Sequence, residues 1–361
     1  MSVSEQQVQA ALKEIIDPNT QKDFIATKSA KNIKVDGDKV TLDVVLPYPA
    51  KMVANEIKAM VEDKIKAATG AAATANVTWK VVAHSVQKGV KLIPGVKNII
   101  AVASGKGGVG KSTTAVNLAL ALAAEGAKVG MLDADIYGPS QPTMLGIHGR
   151  PESADGQNLE PMMGHGLQAM SIGFLIDVET PMVWRGPMVT QALEQLLNNT
   201  KWSDLDYLVV DLPPGTGDIQ LTLAQRVPVT GAVIVTTPQD IALIDARKGL
   251  KMFEKVGVPI LGIVENMSIH ICSKCGHEER IFGEGGGERM CKDYGVEFLG
   301  GLPLDIHIRE DADTGKPSVV ADPDSRIAQI YRQIARRVAV KVGDLAVDHS
   351  SKFPSIVIQN S

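Results

Sequence analysis

The stretch "GKGGVGKST", Gly105 to Thr113, fits the pattern G-x-x-x-x-G-K-[ST] without a mismatch. Glycines at this spacing let backbone N–H groups converge on phosphate oxygens where a Cβ would clash. A helix starting behind them adds its positive end. In that reading Lys111 meets the β- and γ-phosphates of a nucleotide, and Ser112 ligates Mg2+. Two acids follow at the ends of apolar runs: Asp135 in "LDAD" and Asp211 in "YLVVDLPPGTGD". Asp211 fits a Walker B acid for the magnesium shell. Gly215 and Gly217 behind it fit a loop that moves when the γ-phosphate leaves.

A second constellation is "IHICSKCGHEER", Ile269 to Arg280, which holds two of the three cysteines, Cys272 and Cys275. A metal site usually wants four ligands. A buried structural pair fits poorly, because Ser273, Lys274, His277, Glu278 and Glu279 around it are polar. A thioredoxin-like redox pair needs a helix N-terminus at the first thiol, and this one opens into a Gly-rich loop. A single-chain zinc site of His270, Cys272, Cys275 and His277 has outer spacings of one residue, which cramps a tetrahedral shell. If two chains each contribute Cys272 and Cys275, four thiolates meet on a two-fold axis. That set suits an iron–sulfur cluster and equally a structural zinc. Cys291, in "GERMCKDYG", lies apart and reads as core.

The elements that must position these residues fall into two textures. Residues 1–86 read as a small α+β domain. Its first helix carries Val8, Leu12 and Ile15 on one face behind Ser4 as N-cap. A hairpin follows around Asp36-Gly37, then the helix "ANEIKAMVEDKIKAA" and a last strand "NVTWKVV". That domain holds no cysteine and only His84, so it offers no metal site. Residues 87–97 are Gly/Pro-punctuated and read as a linker. From 98 to 345, near-continuous apolar strands alternate with helices, which predicts a mostly parallel sheet flanked by helices, with sites at the strand C-termini. Residues 346–361 form a tail in which "KFPSIVIQNS" fits a short edge strand. The fold class is thus α/β, a P-loop NTPase preceded by a small α+β domain.

Composition narrows the setting. The chain has 361 residues, 44% hydrophobic but 4% aromatic, so its core must be mostly aliphatic. A net charge of −4, from 37 basic and 41 acidic residues, gives no reason to expect nucleic acid or an anionic membrane as partner. No segment approaches about 20 apolar residues, and the N-terminus lacks the pattern of a secretory signal. Three cysteines fit a reducing cytoplasm better than a disulfide scaffold.

Lys106 is surplus to a single chain's need for a phosphate-binding lysine. It fits a solvated surface residue, or a cation reaching the phosphates of a facing subunit. "GKGGVGK" resembles the deviant phosphate loop shared by nitrogenase iron protein, the partitioning ATPases and the division-site regulator MinD. That resemblance implies an ATP-dependent face-to-face homodimer, with Lys106, Lys111 and Asp135 as catalytic residues. Asp135 lies 24 residues after Lys111, as the water-activating aspartate does in that family. The loop residues Gly105, Gly107, Gly108, Val109, Gly110, Ser112 and Thr113 would cradle ATP. The resemblance also puts Asn266 of "VENM" and Pro303 of "GGLPLD" at the adenine base. The fuller run "GKGGVGKST", "LDADIYGPS", "VWRGPM", "VVDLPPGTGD", "TTPQD", "VENMS" and C-x-x-C-G resembles the Mrp/ApbC-type iron–sulfur cluster carriers. "IDPNTQKDF" and "VTLDVVLPYPA" resemble the small domain these share with SufT-like assembly factors, although "PYPA" lacks the cysteine that some relatives carry.

What the resemblance implies is a [4Fe-4S] cluster bridged across a homodimer, passed from cluster donors to apo client proteins, with an ATPase cycle behind it. Arg185 in "VWRGPM" fits either the dimer face or a helix cap. Three rival readings remain. A MinD- or partitioning-like switch ATPase with a structural zinc at the cysteine pair would want a membrane helix or a basic DNA surface. "KFPSIVIQNS" is too short for the helix, and "IARRVAVK" is a small basic cluster. A nitrogenase-reductase-like electron donor would bridge its cluster with single cysteines from separated loops. A zinc-stapled dimeric ATPase would use the same ligands.

Overall fold

The computed structural model describes residues 3–87, 90–176, 186–272 and 274–347. Arg185, Ser273 and the proposed edge strand "KFPSIVIQNS" lie outside these residues.

The N-terminal unit runs α1 (Glu5–Lys13), β1 (Ala30–Asp36), β2 (Lys39–Leu46), α2 (Ala54–Thr69) and β3 (Ala72–Trp79). Ser4 caps α1 in a capping box with Gln7. In β2, Val40, Leu42, Val44 and Leu46 alternate inward, as one buried face requires. Two details depart from expectation. The hairpin loop is Gly37-Asp38, one residue later, because Asp36 still pairs with Lys39 and Gly37 takes the positive φ of 62°. The last strand begins at Ala72 and stops at Trp79 instead of reaching Val82, because it pairs in parallel with β2 from Lys39↔Ala72 to Leu46↔Trp79 and ends where its partner ends.

The rest runs β4 (Val96–Ala103), α3 (Lys111–Ala124), β5 (Val129–Asp133), α4 (Gln141–Met144), β6 (Met162–Gly164), β7 (Leu167–Ser171) and α5 (Gly186–Asn199). Then come β8 (Leu205–Asp211), α6 (Asp218–Arg226), β9 (Gly231–Thr236), α7 (Asp240–Lys255), β10 (Ile260–Ile271), β11 (Glu278–Glu279) and α8 (Gly286–Tyr294). The chain continues through β12 (Phe298–Leu304), α9 (Ile306–Asp313), α10 (Ser318–Ala321) and α11 (Arg326–Gly343). The sheet order is β11-β10-β9-β4-β8-β5-β7-β6, with β12 also on β10. Strands β5, β8, β4, β9 and β10 are parallel neighbours in that order. Their central positions are buried on both faces, which is why they read as unbroken apolar runs. Helix α3 is buried from Thr114 through Leu122 on all sides. A helix apolar all round must be enclosed, and α11 packs along it.

"VENM" does not end its strand. β10 runs on to Ile271, with Met267 at φ 55° and a register shift against β12 between Glu265 and Ile269. Beyond Glu265 the strand thus parts from β9 and runs on as an extended arm paired with β12 and β11. No helix among the described residues is long and apolar enough to cross a membrane.

The small unit grips the far end of α3. The N–H of Lys51 donates to the Glu125 carbonyl at 2.9 Å, and the N–H of Met52 donates to its carboxylate at 3.2 Å. Arg336 of α11 pairs with the same carboxylate and donates 3.2 Å to Asn19 Oδ1. Burial raises the Glu125 carboxyl pKa, with Arg336 opposing the shift.

Candidate functional site

The ends of β4, β5 and β8 stand side by side. Their register sets Val102 and Asp133 on either side of Asp211. The loop leaving β4 needs its glycines: Gly108 and Gly110 both take φ of 80°. A Cβ on Gly105 would collide with the backbone of Asp245, and one on Gly110 with Asn266 Nδ2. α3 starts at Lys111 without a side-chain cap, so the open N–H groups of its first turn face the loop. Gly107 and Gly108 are exposed, Val109 is buried and Thr113 is half-buried. Lys106 is half-buried, its carbonyl taking a 2.8 Å hydrogen bond from Ser104 Oγ.

Lys111 and Asp211 are both buried. Lys111 Nζ lies 2.5 Å from Asp211 Oδ1 and 3.1 Å from Ser112 Oγ. Asp133 is fully buried. Its Oδ2 accepts from the Ser140 and Gln141 N–H groups at 3.0 Å and from Ser171 Oγ at 3.1 Å. Its Oδ1 accepts from the Asp135 N–H at 3.1 Å. Burial, then the neighbouring Asp211, pushes the Asp133 carboxyl well above the ordinary carboxylate range. The half-buried Asp135 is also raised, chiefly by burial, with Lys111 opposing. The donors nearest the Lys111 amine are hard oxygens, the Ser112 hydroxyl and the Asp211 carboxylate. That chemistry suits a hard divalent cation such as Mg2+ rather than a soft metal.

Asn266 is buried against the loop, its Nδ2 donating 2.9 Å to the Val109 carbonyl. Beside it Glu265 accepts a 2.6 Å hydrogen bond from the Gly287 N–H. Burial raises the carboxyl pKa of Glu265. Pro303 lies in β12 opposite Ile269. It lines a cleft of about 230 Å³ with Ile269, Ile271, Ile327 and Ile330.

The arm of β10 carries the thiols. Ile271 pairs with Glu278 and His270 with Glu279, which puts Cys272 and residues 274–277 at the tip of a hairpin. The Cys272 N–H donates to the His277 carbonyl at 2.9 Å, and the Gly276 N–H donates to the Cys272 carbonyl at 2.8 Å. Gly276 takes a φ of 71°, which closes the turn. The Lys274 N–H, then the Cys275 N–H, point at the Cys272 sulfur and lower its pKa. This is no helix N-terminus of the thioredoxin kind. His270 Nδ1 lies 3.2 Å from the Leu304 carbonyl. Among the described residues no three His, Cys, Asp or Glu side chains come together as a metal-binding group. The structure therefore brings Cys272 and Cys275 to one exposed tip without assembling them with the two histidines. Cys291 is buried on α8 and its thiol is pushed up to about 12 by burial.

Sequence reasoning passed over Gln141, which donates from Nε2 to Asp211 Oδ2 at 2.9 Å and to the Ser112 carbonyl at 3.1 Å. No spacing rule links a glutamine after "GPS" to a carboxylate 70 residues away.

Residues 95–339 match the family model of the NUBPL iron-transfer P-loop NTPase, and residues 5–79 match that of an iron–sulfur cluster assembly protein. The chain is 56% identical over 331 residues to the iron–sulfur cluster carrier protein of Escherichia coli, covering 90% of this chain and 89% of that protein. It is 53% identical over 250 residues to the iron–sulfur cluster transfer protein NUBPL of Mus musculus, covering 69% and 78%. Among solved structures, a nucleotide-binding protein of Archaeoglobus fulgidus in complex with ADP aligns with a TM-score of 0.57 at 38% identity, covering 65% of this chain and 91% of that one.

Proposed function

For a chain that belongs to the NUBPL iron-transfer P-loop NTPase family and carries an iron–sulfur cluster assembly domain ahead of it, we propose a [4Fe-4S] carrier working as a homodimer. Cys272 and Cys275 of each copy hold the cluster as cargo, and the dimer hands it from cluster donors to apo client proteins in the cytoplasm. The observation that carries this reading is the thiol tip: an exposed hairpin with two ligands and no third beside them among the described residues. A half site in a chain that dimerises becomes a whole site.

Several features support a face-to-face pairing. Asp245 of α7 packs on Gly105, and on the same helix Ile241 is 70% and Ile244 51% exposed. Tyr137, two residues after Asp135, is 59% exposed. Such apolar exposure around a phosphate loop suits a second copy.

ATP would lie on Gly105 to Thr113, with Lys111 on its phosphates and Asn266 and Pro303 toward its base. Ser112 and Asp211 would hold Mg2+, which supplies charge neutralisation at the phosphates. Asp135, held less acidic than usual by burial, suits a group that orients the attacking water and takes its proton. Lys106 would reach the partner's nucleotide and stabilise transition-state charge. Asn266 touches the loop and lies on β10, whose last residue, Ile271, directly precedes Cys272. A nucleotide-driven bias of a few kcal/mol there would shift cluster-holding populations strongly.

Anaerobic reconstitution with iron and sulfide tests the reading. The expected result is about four irons per dimer, with cluster absorbance, both lost in Cys272→Ala plus Cys275→Ala. Tightly bound zinc with no sulfide-dependent absorbance would overturn it in favour of a zinc-stapled switch ATPase.

A further inference from the structure

Gln141 is 1% exposed, and both its amide hydrogens are used. Nε2 donates to Asp211 Oδ2 at 2.9 Å and to the Ser112 carbonyl at 3.1 Å. Both partners are acceptors, so the amide orientation is determined: a flipped amide would set oxygen against oxygen twice. Its backbone N–H donates to Asp133 Oδ2 at 3.0 Å. One residue thus touches the acid ending β5, the acid ending β8 and the residue after Lys111. Its Oε1, however, is buried with no hydrogen-bond partner.

An unpartnered buried amide oxygen is costly, because it has given up water's hydrogen bonds and gained none. The same amide rests through Nε2 on Asp211 and on the Ser112 backbone, the two residues whose side-chain oxygens suit Mg2+. That cation gives up its waters reluctantly and usually keeps several, and those waters are donors. An aliphatic side chain could fill the same space without leaving an acceptor bare.

We propose that Gln141 is a magnesium-positioning residue: Oε1 accepts from a water of the hydrated cation, while Nε2 holds Asp211 in place for it. The proposal rests on the nucleotide-site reading above. It assigns Gln141 two separable duties, a donor duty that braces the acid and an acceptor duty that is met only when Mg2+ is bound.

The test measures the affinity of the full chain for a fluorescent ATP analogue in excess Mg2+ and in EDTA, alongside melting temperature. Wild type should bind more tightly with Mg2+. Gln141→Met, which fills the space without hydrogen bonds, should keep its EDTA affinity and lose about tenfold of the Mg2+-dependent gain, equivalent to about 1.4 kcal/mol. Gln141→Glu keeps an acceptor but sets a carboxylate against Asp211. It should melt lower in EDTA yet retain the Mg2+-dependent gain, so it carries the test if Gln141→Met folds poorly. Equal losses with and without Mg2+ in both variants would mean a packing brace only, and the proposal fails while the nucleotide site stands. A wild type whose affinity ignores Mg2+ would sink the proposal together with the nucleotide reading.

Discussion

Asn266 Nδ2 donates to the Val109 carbonyl at 2.9 Å, so a strand at one side of the site is tied to the turn that would wrap phosphate. The tie depends on the bareness of Gly110, whose Cβ would occupy the place of that same nitrogen. Backbone φ at Gly110 is 80°, a region in which an alanine costs about 1–3 kcal/mol. Gly110→Ala should therefore weaken ATP binding roughly ten- to hundredfold while the circular dichroism spectrum stays native. Unchanged ATP affinity by equilibrium titration would show that the loop tolerates both insults.

The pair Asp133 and Asp211 makes stability depend on pH. With the Asp133 carboxyl raised by burial and by Asp211, the folded chain keeps a proton that the unfolded chain has released. Stability is then greatest below the ordinary carboxylate pKa of about 4 and falls as pH rises toward the raised folded value. Melting temperature in EDTA should decline from about pH 5 to about pH 7, and Mg2+ with ADP should flatten the decline by supplying opposing charge. A profile equally flat with and without Mg-ADP would refute the idea.

The three thiols should divide into two classes. Cys272 and Cys275 are accessible, whereas Cys291 is buried and its thiol is raised to about 12. Reactivity follows the thiolate. Alkylation of the native chain at neutral pH, read by mass spectrometry, should add two labels quickly and the third only in denaturant. Rapid modification of Cys291 in the native chain would contradict the packing of α8.

Removing Arg336 tests the grip between the two units. Glu125 is 1% exposed and carries the Arg336 pair and the Met52 hydrogen bond. Breaking a buried pair leaves a charge uncompensated, so Arg336→Ala should cost about 3 kcal/mol in denaturant titrations. The loss should be smaller near pH 5 than near pH 8, because without the cation the Glu125 pKa is raised further and a protonated carboxyl needs no partner. A pH-independent loss would point to packing alone.

Much of the site was legible because its parts are local. The phosphate loop, the acids at 135 and 211 and the C-x-x-C pair each announce themselves within a dozen residues. The two-sided burial of the central strands likewise leaves its mark as apolar runs. What stayed hidden depends on partners distant in sequence. β3 takes its limits from β2, a fact of pairing and not of β propensity. β10 outlasts "VENM" because β12 and β11 continue to pair with it. The Glu125–Arg336 contact joins residues 211 apart in the chain. Gln141 acquires its part only when folding brings β5 beside β8.

The register of β10 also has an arithmetic. Against β12, Glu265 meets Gly301 and Ile269 meets Pro303, so four steps on one strand answer two on the other. The surplus is even. Side chains alternate with a period of two, so an even surplus lets the arm slip without turning itself over. Ile269 and Ile271 consequently stay on the side of the cleft they line with Ile327 and Ile330. A surplus of one would have brought His270 there and left the isoleucines facing away. The hydrocarbon floor beneath the thiol tip is thus preserved by parity, and an insertion or deletion between Glu265 and Ile269 should be tolerated in pairs more readily than singly.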